Sequence, residues 1–212
     1  WPWPRSVHAK LLKALSAEQP LAIGFDIILA EPDYLDPLSD AALADALENN
    51  RNVIMPVVIE QSRLGGQFIE TLPLTSLSGA ASGLGHVHIE IDRDGIARQV
   101  FLNEGLGSPL WETLALTLLR SGRPEHADRL PVSSASGSQA AVAPHSWVRE
   151  NPVLIPFAGP PGHFRRISYQ QVLNREYLPG TFDNKFVLIG ATAAGLGDYL
   201  PTPLSGLNEP MS

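Results

Sequence analysis

The sequence has no cysteine. Disulfides, thiolate nucleophiles and thiolate metal ligands are therefore excluded, and the chain must be stabilised by packing alone. Positive charge is also scarce: 15 Lys and Arg stand against 22 Asp and Glu, for a net charge of -7 and a pI near 5.3. Nucleic acid and anionic membrane surfaces demand clustered cations, so neither is expected as a partner. No apolar run reaches the length of a membrane span. The G-x-S-x-G elbow, a Cys nucleophile and the H-E-x-x-H pair are all missing, which points away from an enzyme. No signal peptide is expected from the opening residues. Trp1-Pro2-Trp3-Pro4-Arg5 reads as mid-domain sequence and raises the expectation of a fragment.

What remains is an ordinary globular composition, 44% hydrophobic over 212 residues, enough for one sizeable core. Val7, Leu11, Ala14 and Leu15 fall at helical spacing, with Lys10 and Lys13 on the opposite side. Residues 21–29, LAIGFDIIL, read as a buried strand carrying Asp26 in its middle. A carboxylate in such a run needs partners or a place at the strand's open end. Ser39 is then expected to cap a helix whose inner face is Leu43, Ala46 and Leu47. Residues 53–59, VIMPVVI, follow as a third strand, in which Pro56 favours an edge or a bulge. Residues 186–189, FVLI, show no alternation and predict a strand buried on both faces. Strand and helix alternate, which predicts an α/β fold: a central, largely parallel or mixed sheet flanked by helices.

A β-hairpin is added to this. Val87, Ile89 and Ile91 alternate with His86, His88, Glu90 and Asp92, Asp94-Gly95 makes the turn, and 96–102 return. Ser108-Pro109 reads as the start of a helix that turns Leu110, Leu114, Ala115 and Leu118 inward and stops at Gly122. Residues 131–146 are rich in Ser and Ala and predict a surface loop. Residues 153–157 form a further short strand, and 168–171 form a capping box before a helix through Leu173.

Candidate chemistry concentrates in residues 185–204, KFVLIGATAAGLGDYLPTPL, where a strand empties into a glycine-rich loop. Open α/β sheets place what they bind at the carboxyl ends of their strands. A ligand site is therefore expected where strands 21–29 and 186–189 end, with Asp26, Gly195, Asp198 and Thr202 facing it. A phosphate loop is disfavoured, because Leu196 and Gly197 stand where Lys and Ser or Thr are needed. Four carboxylates crowd 31–40, but the spacing is not that of a calcium loop and the usual sharp-turn glycine is missing. His86 and His88, with Glu90 and Asp92, are the weak metal candidates, set against a solvated strand face; a pH-sensing role is the milder version of that idea.

Five blocks occur in order: WPWPRSVHAKLL; LAIGFDIILAEPD with DAALADAL; GLGHVHIEIDRDGIAR; FAGPP with SYQQVL; and KFVLIGATAAGLGDYLPTPL. Together they resemble the second type of CHASE domain, with His88 where that family leads one to expect Asn. The resemblance covers nearly all of 1–212 as a single domain. It implies an extracytoplasmic (periplasmic) sensory domain of an inner-membrane bacterial receptor, upstream of a kinase or a nucleotide cyclase or phosphodiesterase. It also implies a preceding strand and a membrane-proximal block beyond this chain, and hence an open sheet edge. The implied partners are a small-molecule or periplasmic protein signal, the receptor's own transmembrane helices and a second copy in a homodimer. No cofactor is implied. The alternative is a metal-dependent hydrolase-like domain using Asp26, His86, His88 and Asp198.

Overall fold

Apolar residues at helical spacing build α1 (Arg5–Ser16), which buries Ala9, Leu11, Leu12 and Leu15. It leads into β1 (Ala22–Asp26), then α2 (Pro37–Asn50), β2 (Val53–Gln61), β3 (Phe68–Thr71), α3 (Thr75–Ala80) and β4 (Gly83–His86). There follow β5 (Glu90–Ile91), β6 (Ala97–Leu106), β7 (Trp111–Glu112), α4 (Leu114–Gly122), α5 (Pro124–Ala127), β8 (Trp147–Leu154), α6 (Tyr169–Leu173) and β9 (Phe186–Gly190). The structure is a computed structural model that describes residues 3–62, 66–127, 129, 143, 145–160, 162–191 and 200–205. The loop expected at 131–146 falls almost wholly outside them.

Two sheets result. The first runs β3-β2-β1-β9, with β4 also on β2; every pairing is parallel except β2 with β3. The second is antiparallel, β5-β6-β7 with β8 also on β6. This is the expected α/β architecture with helices on both faces of a mixed sheet. Ile23 and Phe25 of β1 join α1, α2, α3 and α6 in the main core, while Ala22 and Ile54 pack beneath Leu114 and Leu118 of α4. Helix α4 also turns Leu116 toward Leu102 and Val153 of the second sheet. It is therefore the shared layer between the sheets. Its close approach requires glycine: a Cβ on Gly85 would lie 2.6 Å from the Leu114 Cα.

Several local expectations are corrected. Strand β1 ends at Asp26 rather than 29, which places that carboxylate at the strand's exposed end. Pro56 lies inside a sheet, not at an edge. Asn52 O accepts from Ile23 of β1, whereas Val53 O and Val57 O accept from Ser82 and Val87 on the β4 side. By alternation Pro56 points toward β1, beyond the last β1 pairing at Gly24 and Ile54, so its missing N–H breaks no ladder bond. Ser39 sits in the first turn of α2 behind Asp36, the N-cap residue, and its hydroxyl donates to the Asp36 carbonyl at 2.7 Å. Helix α4 starts later than Ser108, because Trp111 and Glu112 pair with β6; Thr113 caps it, its hydroxyl oxygen accepting from Leu116 N at 3.1 Å. Leu110 and Ala115 consequently point outward.

Strand β9 is not buried on both faces: Leu188 is 71% and Phe186 40% exposed. It pairs with β1 at the end of the strand order, and α4 covers the more central strands, leaving that face of β9 open. Strand β8 begins and ends earlier than the expected 153–157, and β3 was not foreseen. The capping box was: Ser168 Oγ accepts from Gln171 N while Gln171 Oε1 accepts from Ser168 N.

Candidate functional site

At the carboxyl end of the parallel strands, Asp26 pairs in register with Gly190, so β1 and β9 finish side by side as expected. Gly195 and Asp198 lie outside the described residues. Thr202 is buried, and its Oγ accepts from Leu204 N and Ser205 N at 3.4 and 3.2 Å, closing a turn on itself. The neighbouring Pro201 carbonyl accepts from Ala97 N of β6 at 2.8 Å, which anchors this segment to the second sheet.

The acidic stretch beyond β1 is a structural knot. Asp33 Oδ1 accepts from Leu35 N and Asp36 N, each at 3.1 Å, and Asp33 Oδ2 accepts from Ser39 Oγ at 3.0 Å. The Asp36 N–H, the Ser39 hydroxyl and Arg5 hold the Asp33 carboxyl below its usual range. Arg5 Nε lies 3.2 Å from Asp40 Oδ1, and Arg5 also donates to the Glu31 carbonyl at 2.8 Å. This ties the start of α1 to the entry of α2.

The alternating run 86–92 is not one strand with one polar face. It begins in the first sheet as β4 and ends in the second as β5, and each polar side chain has a different partner. His86 is 1% exposed, and its Nε2–H donates to the Phe101 carbonyl at 3.0 Å. Burial depresses its pKa. His88 Nδ1 lies 3.1 Å from Glu104 Oε1, Glu90 pairs with Arg149 at 2.6 Å, and Asp92 with Arg98 at 2.6 Å. Among the described residues no group of three or more His, Asp or Glu is placed to hold a metal ion. Asp26 and His86 lie on strands separated by β2, so the geometry does not bring the hydrolase-like set together.

Glu104 and Trp147 were missed. Glu104 is 0% exposed and accepts from the Trp147 indole N–H at 3.1 Å. Its signal was parity, since along β6 it lies on the same side as the buried Leu102. A second buried histidine was also unmarked. His8 Nδ1 accepts from the Tyr169 hydroxyl at 2.6 Å, and its ring meets Phe25 edge-on with centroids 5.3 Å apart. Burial, with Arg5 acting in the same direction, lowers His8 from 6.5 to about 4, while burial raises Tyr169. A separate cleft of about 400 Å³ lies between α1 and α6, lined by Lys10, Lys13, Ala14, Leu173 and Arg175.

These features define an α/β domain in which a largely parallel sheet and an antiparallel sheet share one helix. A family model for the CHASE2 domain matches residues 1–212, and the chain belongs to that family, whose members are extracytoplasmic sensory domains of signalling receptors. No curated protein and no solved structure matches it. No helix among the described residues is long and apolar enough to cross a membrane.

Proposed function

We propose that the chain is the signal-input domain of a bacterial inner-membrane receptor, held in the periplasm and biasing a kinase, cyclase or phosphodiesterase output through the receptor's membrane helices. The CHASE2 match over 1–212 carries this reading. The input is a small molecule bound at the carboxyl ends of β1 and β9, where Asp26 stands and from which Gly195 and Asp198 follow in sequence. Thr202 supports that site from its turn rather than by direct contact, because its hydroxyl oxygen already accepts two backbone bonds. A second copy of the chain is the proposed structural partner.

A thermal-shift screen of the 212-residue chain against amino acids, nucleotides, anions and metal ions tests the small-molecule input. A melting temperature that climbs with the concentration of one compound, and does so less in Asp26→Asn, is expected, since a ligand stabilises the state it binds. A flat response to every compound overturns the small-molecule input.

A further inference from the structure

The chain passes from the first sheet to the second through residues 87–89. Both histidines at this crossing are anchored on β6: His86 on the Phe101 carbonyl and His88 on Glu104. Glu104 Oε1 faces His88 Nδ1 at 3.1 Å, and Oε2 accepts from Trp147 Nε1 of β8 at 3.1 Å. The indole also meets the His88 ring edge-on, with centroids 4.7 Å apart.

A carboxylate with 0% exposure needs a compensating positive charge or a proton of its own. The surrounding charges are otherwise occupied. Arg149 of β8 pairs with Glu90 of β5 at 2.6 Å and lies over the Trp147 ring at 4.3 Å. Glu112 of β7 pairs with Arg120, and Glu70 of β3 accepts from Leu106 N at 2.6 Å. Burial lowers the pKa of His86 of β4, against a smaller raising pull from Glu104. Among the described residues, His88 is the group that can supply a positive charge within ion-pair reach, and its side chain is 23% exposed, open to solvent protons.

We propose that His88, Glu104 and Trp147 form a proton-dependent lock across the junction of the two sheets, closed while the His88 imidazole is protonated and loosened when it loses that proton. On deprotonation the buried carboxylate stays charged, keeps neutral donors among the described residues and must admit water. The entering water competes with the Trp147 indole for the carboxylate and so loosens its hold on β8. The inference rests on this geometry and stands whether or not the chain is a sensor.

The test is an NMR titration of the 212-residue chain across about pH 5 to 8, following the His88 ring and the Trp147 indole N–H. The two signals are expected to move with a shared midpoint. In Glu104→Gln the indole response to pH disappears. In His88→Gln, which keeps a donor without a titratable charge, the indole signal becomes indifferent to pH. An indole signal that ignores pH in the wild type overturns the lock, as does one whose titration survives unchanged in His88→Gln. If Glu104→Gln does not fold, the wild type and His88→Gln decide the question by themselves.

Discussion

His8 is a base placed where a proton is unwelcome. It lies against Phe25 and under the Tyr169 hydroxyl, and its folded-state pKa is about 4 against 6.5 for the exposed ring. The unfolded chain therefore binds this proton first as the pH falls. The stability due to neutral His8 is complete above pH 6.5 and drains away toward pH 4. Urea unfolding at pH 7 and 4.5 should show a His8-dependent loss of about 2 kcal/mol, absent in His8→Gln. Equal acid losses in the two proteins would remove His8 as the cause. Tyr169→Phe strips the donor from a buried acceptor and should cost about 1–2 kcal/mol at neutral pH, measured the same way. Neither residue stood out in the sequence. A histidine on a helix and a tyrosine 161 residues later declare nothing until the fold brings them to 2.6 Å.

Among the elements, α4 carries the greatest structural weight. It touches Ala22 and Ile54 on one side and Leu102 on the other, and at Gly85 its backbone lies directly on the sheet. Gly85→Ala drives a Cβ against backbone atoms of Leu114 and should lower stability by about 2–3 kcal/mol. At Gly24 the nearest atoms are side-chain tips, Leu118 Cδ1 and Leu188 Cδ2 at 2.8 Å, which can swing aside. Gly24→Ala should therefore cost less, and chemical denaturation of the pair tests the ranking. Leu188→Lys, on the open face of β9, should leave the unfolding midpoint within about 0.5 kcal/mol of wild type. Periodicity revealed α1, the core of β1, the inner face of α2 and the capping box, because each is decided by neighbours in sequence. It failed where tertiary context decides. The run 86–92 alternates regularly, yet the chain changes sheets within it. The run 186–189 is uniformly apolar, yet its strand ends the strand order. Ser108-Pro109 offers a good helix start, but pairing of Trp111 and Glu112 with β6 overrides it.

For the molecule as a whole, His8 withdraws stability as acid is added. Architecture and family were legible in the sequence because five separated blocks carry them. The site was legible only in part. The sequence put Asp26 in the middle of a longer strand and left it either at an open end or partnered, and the fold ends β1 at that residue, whereas the pairing of His88 with Glu104 joins residues 16 apart across two elements. The central claim is that this chain is the part of its receptor that receives the signal. The most direct measurement is the output activity of the receptor, with and without its stimulus, after this domain is exchanged for an unrelated folded domain of equal size. The account predicts that basal output persists and the response to stimulus is lost. A response of undiminished size after the exchange would contradict it.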